Sequence, residues 1–169
     1  VEDAHLPAPE TKTKWAIRAI TCSGLYQNKS GQTKCIACAV GYFAASTGAN
    51  SCTTCPAGSY SPSTGQSTCT ACELGKYNSN TGATTCTPCA AGYIAGSKSL
   101  LSCSACAKGT YASGTGNNVC TNCPTGKYNN LIAKGSCTDC AAGTYANTVK
   151  TLTCTSCAIG KVSTIGQAS

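Results

Sequence analysis

Cys55-Pro56-Ala57-Gly58-Ser59-Tyr60-Ser61-Pro62-Ser63-Thr64-Gly65-Gln66-Ser67-Thr68-Cys69-Thr70-Ala71-Cys72 is one copy of a unit that returns along the chain every 17 residues. Cysteine pairs with two residues between them begin at Cys35, Cys52, Cys69, Cys86, Cys103, Cys120, Cys137 and Cys154, and the interval never changes. A fixed short period of this kind is the signature of stacked supersecondary units. The third residue after the second cysteine of each pair is always glycine: Gly41, Gly58, Gly75, Gly92, Gly109, Gly126, Gly143 and Gly160. Only a backbone reason accounts for that, either a positive φ or a neighbour so close that no Cβ fits. Two residues later stands a large side chain in each unit (Phe43, Tyr60, Tyr77, Ile94, Tyr111, Tyr128, Tyr145 and Val162), which is expected to form a stacking column.

Within the unit, the extended piece Gly58-Ser59-Tyr60-Ser61 runs into the turn signal Ser63-Thr64-Gly65 and returns through Ser67-Thr68, which predicts one small hairpin per repeat. Four units depart from the Thr-Gly turn, at Gly96-Ser97-Lys98-Ser99, Leu131-Ile132-Ala133-Lys134, Thr148-Val149-Lys150 and Ile165-Gly166. Such variation is expected at exposed tips. The fold class is therefore small, disulfide-rich and mainly β: an elongated, solenoid-like rod of 17-residue hairpin repeats with nearest-neighbour contacts only.

The spacing admits two disulfide connectivities, one sequential and one crossed between alternate pairs. Cys22 is single, precedes Gly24 and Tyr26, and occupies the second-cysteine position of a slightly shortened opening unit. A partner ahead and none behind is what the sequential scheme requires. The expected bonds are Cys22–Cys35, Cys38–Cys52, Cys55–Cys69, Cys72–Cys86, Cys89–Cys103, Cys106–Cys120, Cys123–Cys137 and Cys140–Cys154, with Cys157 paired to a residue beyond the segment. The organisation expected is an extended arm or cap at 1–21 and a cysteine-rich array at 22–169. The array holds about eight and a half units and continues past the C-terminus.

Composition agrees with covalent rather than hydrophobic stabilisation. Of 169 residues 17 are Cys, with one Phe, one Trp and no Met, too few large apolar side chains for a conventional core. Persistent disulfides imply an oxidising compartment, so the chain is expected to be secreted or extracellular, at a cell surface or appendage. No apolar run is long enough to span a membrane. Val1-Glu2-Asp3-Ala4 does not open a basic-then-apolar leader, which fits a processed secreted chain or an internal start.

The stretch Cys55–Cys72, with C-P-x-G-x-Y, T-G and C-x-x-C, resembles the ephrin-receptor-like cysteine-rich repeat, found in animal receptor ectodomains and in tandem-repeat surface proteins of protists. The resemblance covers residues 22–169. It implies an extracellular structural or recognition module without catalysis.

The cysteine spacing also suits a four-thiolate zinc site. Eight even pairs plus a unit-matched Cys22 fit a disulfide ladder better, and the only His, His5, stands outside the repeats, so no metal or cofactor is expected. Nor is an enzyme: no nucleophile–base or carboxylate pair can be named. The net charge of +7 arises in the repeats, where nine Lys face Glu73 and Asp139. Arg is absent there, which argues against nucleic-acid recognition and for a solvated surface with weak attraction to acidic polysaccharide. Asn28-Lys29-Ser30 is a candidate glycosylation sequon. In the arm, Trp15, Ile17 and Ala19 alternate with polar or small residues as a half-buried strand does, and Trp15 and Ile17 are expected either to cap the first repeat or to dock on another subunit.

The function expected is that of an extracellular structural protein forming a rod, coat or filament, because strict periodicity leaves no singular site. The alternative is a receptor or adhesion module binding a protein or glycan through the irregular units at Cys89–Cys103 and Cys123–Cys137. Partners would be further copies or other extracellular surface proteins, with glycans a further candidate.

Overall fold

The computed structural model describes residues 23–27 and 34–167. Sixteen two-residue strands, β1 (Leu25–Tyr26) to β16 (Thr155–Ser156), pair consecutively into eight separate antiparallel hairpins, and the described residues contain no helix. In the unit beginning at Cys55, β5 (Ser59–Tyr60) pairs with β6 (Thr70–Ala71), with Ser59 opposite Ala71 and Tyr60 opposite Thr70. The returning strand is thus the two residues inside the C-x-x-C, not the expected Ser67-Thr68. The reason is the disulfide: Cys55–Cys69, with Cα atoms 5.7 Å apart, closes the loop just before β6 and delivers Thr70 against Tyr60.

The glycine of the frame has its backbone reason here. Pro56 accepts from the N–H of Ser59, closing a four-residue turn whose third member, Gly58, holds φ +81°. A positive φ at that position is what a type II turn demands.

Seven sequential disulfides are present: Cys38–Cys52, Cys55–Cys69, Cys72–Cys86, Cys89–Cys103, Cys106–Cys120, Cys123–Cys137 and Cys140–Cys154. Their sulfurs are covalently paired and do not furnish the thiolates a zinc site needs. Cys35 is also disulfide-bonded. The expected partner Cys22 lies outside the described residues, as do Trp15, Ile17 and Asn28.

Two-residue strands cannot satisfy a 17-residue unit, and further backbone groups find partners in the neighbouring repeats. Gly58 N–H donates to the Asn78 carbonyl, Ser61 N–H to the Ala83 carbonyl, and Gly82 N–H back to the Cys55 carbonyl, at 2.8 to 3.0 Å. The same three bonds recur from repeat to repeat. The core they enclose is a thin column. The second cysteine of each pair, from Cys38 to Cys140, is fully buried, while its partner is half-buried. Beside it runs a second column, one residue after the aromatic position: Ala44, Ser61, Asn78, Ala95, Ala112, Asn129 and Ala146, all buried.

One expectation needs correction. Contacts are not confined to nearest neighbours: a Cβ placed on Gly41 would collide with the carbonyl of Gly82, one on Gly58 with Ser99, and one on Gly92 with Ala133, in each case two repeats ahead. Each repeat seats its loop tip on the repeat two behind. The tips keep their side chains exposed, as expected, while their backbone docks on that earlier repeat. Their backbone survives the sequence variation, since Ser99, Ala133 and Lys150 hold φ of +59°, +58° and +64° where Gly65, Gly82 and Gly116 hold +72°, +69° and +76°.

Candidate interaction surface

The aromatic column is half-buried from Phe43 to Tyr145, and Val162 is exposed, so the rings form one wall of the surface and not the centre of a core. Register places a hydroxyl beside most of them. Tyr60 is opposite Thr70, Tyr77 opposite Thr87, Tyr111 opposite Thr121 and Tyr128 opposite Thr138. Directly opposed residues of an antiparallel pair share a face.

At four junctions between repeats a shallow groove opens with a recurring lining. Tyr77 of one repeat faces Ser102 and Cys103 of the next across about 390 Å³, with Thr87 and Pro88 on the near side and Tyr93 on the far side. One groove of about 280 Å³ is built from Tyr60, Thr85 and Cys86 together with Glu73 and Lys76, and another of about 530 Å³ has Tyr128, Thr153, Cys154 and Asp139 in its lining. Near the start of the array, Tyr26, Ser51 and Cys52 make the same arrangement. Each has a tyrosine, a hydroxyl that precedes the half-buried cysteine, and the cysteine itself.

Those hydroxyls are exposed on both sides of that cysteine in nearly every repeat: Thr68 and Thr70, Thr85 and Thr87, Ser102 and Ser104, Ser136 and Thr138, Thr153 and Thr155. Val119 interrupts the series, ahead of Thr121. In contrast to Ser59, Thr110 and Thr144, whose hydroxyls close their own turns onto Pro56, Ala107 and Ala141, none of them spends its donor on the protein among the described residues. Sequence reasoning assigns Ser and Thr to turns and passes over this pattern. Its signal is the hydroxyl on each side of the first cysteine in successive units.

Charge enters the Tyr60 groove through Glu73 and Lys76 and the Tyr128 groove through Asp139, and is absent from the linings of the Tyr26 and Tyr77 grooves. Glu73 pairs with Lys98 of the next repeat at 2.8 Å, and Asp139 with Lys127 across its own hairpin at 2.8 Å, all four side chains being substantially exposed. With both acids engaged, Lys34, Lys76, Lys108, Lys134, Lys150 and Lys161 carry the remaining positive charge of the described residues. Cys157, the free cysteine among those residues, donates its thiol to Ser163 Oγ at 3.4 Å and lines a cavity of about 450 Å³ with Tyr145 and Lys161.

Exposed apolar side chains occur along the array from Ile36 onward, but at the loop tips they are distributed unevenly. Tips in the first repeats read Ser46-Thr47-Gly48 and Ser63-Thr64-Gly65, whereas Leu131 and Ile132 are 52% and 62% exposed and Val149 is 57% exposed. Among the described residues no helix is long and apolar enough to cross a membrane.

The family model described as tyrosine-protein kinase ephrin type A/B receptor-like matches residues 41–89, 58–99 and 92–134. These overlapping stretches cover more than half of the chain. A comparison with curated proteins finds no match.

Proposed function

Because the chain belongs to the ephrin type A/B receptor-like repeat family, we propose that it serves as a rod-forming structural element of an extracellular coat, stalk or filament, without catalysis. The observation that supports this is the uniformity of the docking. The same three backbone bonds and the same tip-on-glycine seat recur from repeat to repeat, so the array propagates its geometry regardless of side-chain variation. Residues 1–21 are assigned in this reading to an arm that caps the first repeat or joins subunits through Trp15 and Ile17, and residues 22–169 to the rod. Negative-stain imaging and small-angle scattering of the oxidised protein should give thin, rigid particles whose length grows linearly with repeat number. A compact particle would end the proposal. Assembly through the arm is tested by deleting residues 1–21, which should abolish polymers and leave the disulfide ladder intact.

A second reading is favoured by Leu131, Ile132 and Val149. Apolar tips in adjacent repeats make a local departure from the hydroxyl-rich tips before them, as a receptor or adhesion module contacting a protein would require. Replacing Leu131 and Ile132 by Ser leaves the rod unchanged under the first reading. Under the second it removes attachment of the intact protein to its native cell surface.

A further inference from the structure

We propose that the recurring tyrosine–hydroxyl grooves form a serial binding face for a linear, neutral polysaccharide. The inference rests on groove geometry and not on polymerisation of the rod.

Three features of the lining point to this class of occupant. The first is composition. Tyr77 presents ring area, while Ser102 and Thr87 present hydroxyls that both donate and accept and have no protein partner among the described residues. A pyranose has the matching anatomy, with a C–H face that packs on an aromatic ring and hydroxyls around its rim. The second is charge. The Tyr26 and Tyr77 grooves have no ionisable side chain except their tyrosines, Asp139 in the Tyr128 groove is engaged by Lys127 and Glu73 in the Tyr60 groove by Lys98, which leaves Lys76 of the Tyr60 groove as the one unpaired charge among the four linings. An anionic polymer would gain little there. The third is period. Equivalent grooves recur at four junctions along the array, two of them consecutive, so an occupant that engages several of them must itself repeat.

Shallow open grooves bind weakly one at a time, and a polymer that engages several gains by effective concentration. Affinity is therefore expected to climb steeply with chain length.

The test uses the full chain, oxidised and with its disulfides verified by mass spectrometry. It is incubated with microcrystalline cellulose, chitin and an insoluble β-1,3-glucan, and titrated with tri- and hexasaccharides of each. At least one polymer should retain the protein in about 0.5 M salt, where screened charge attraction is lost. Its hexasaccharide should bind about tenfold tighter than its trisaccharide. Tyr77→Ala and Tyr128→Ala should each weaken binding about fivefold, and Tyr77→Phe should preserve it, because the ring supplies the contact. If a tyrosine variant fails to fold, the combined exposed replacements Thr85→Val, Ser102→Val and Thr153→Val read the same face, with an expected loss of about tenfold. Failure of every polymer to bind overturns the proposal. So does retention by heparin alone that salt abolishes, or dimerisation of the chain that Tyr77→Ala abolishes.

Discussion

The carbonyl oxygen of Gly116 occupies the place where a Cβ on Gly75 would stand, although a whole repeat separates the two units. That oxygen cannot withdraw freely, because the Gly116 N–H is held by the Cys89 carbonyl at 2.8 Å. The glycine frame is therefore required twice, once by its own φ and once by the repeat that arrives two turns later.

Gly75→Ala tests this, with Gly48→Ala as its comparison. Both glycines hold positive φ, +78° and +84°, but nothing lies within 4 Å of a Cβ on Gly48. Gly48→Ala should cost about 1 kcal/mol, the conformational part alone. Gly75→Ala should cost about 3 kcal/mol or more, since a backbone contact must also break. Urea midpoints of the oxidised proteins compare the two, and equal losses would mean that the two-repeat seat carries no weight.

The tips offer the opposite experiment. Ala133 holds φ +58° at the position filled by Gly82 and Gly116 in other repeats. Ala133→Gly should stabilise the array by about 0.5 kcal/mol, the relief of a left-handed alanine less the extra freedom of an unfolded glycine. Ser99→Gly should behave likewise. Destabilisation by both would show that the tip backbone relaxes when its side chain is removed.

Asn78 donates from Nδ2 to the Ser59 carbonyl of the preceding repeat at 2.9 Å and accepts the Asn80 N–H at Oδ1 at 3.0 Å. Asn129 makes the corresponding bonds to Thr110 and Leu131. Ala occupies the same column in other repeats, so Asn78→Ala is accommodated sterically and should cost only about 1 to 2 kcal/mol for the lost bonds. Hydrogen exchange should localise the loss to the repeats around residues 59–80. A uniform loss along the array would contradict the local character of the contact.

Proteolysis under non-reducing conditions should recover Cys55 linked to Cys69 and Cys72 linked to Cys86. Recovery of Cys52 linked to Cys69 would require the crossed scheme. Replacing both Cys89 and Cys103 by Ala should cost about 3 kcal/mol in the chain-entropy account, without disturbing the other links.

The cysteine interval made the repeat, the hairpin and the ladder legible, because covalent partners must recur at one register. Gly58 was legible as a backbone requirement. The column Ala44, Ser61, Asn78 was not, since small and polar residues give no hydrophobic signal and are buried here by backbone pairing between repeats. The reach from Gly75 to Gly116 was also hidden, because it depends on how three successive units stack and not on any one unit's sequence. The tips were legible as exposed because Ser, Lys and Leu replace one another there, but not as docked, since Ser99, Ala133 and Lys150 keep the glycine-like backbone their seats require without a glycine to signal it. Of the interaction face, the tyrosine wall was visible in the period. The hydroxyls of Thr85 and Ser102 were not, since the grooves they line exist only between neighbouring units.

The disulfide ladder also fixes how far the molecule can be drawn out under tension. A pulling force enters a repeat at Cys55, crosses the sulfur bridge to Cys69 and leaves through Thr70 and Ala71 to Cys72, so the loop 56–68 stays out of the strained path. Even with every hairpin torn open, the contour per repeat is the 5.7 Å across the bridge and about 11 Å of backbone. The reduced chain would yield about 60 Å per repeat. An oxidised array is therefore a tether whose reach is capped at about 17 Å per repeat, and reduction would raise that cap more than threefold.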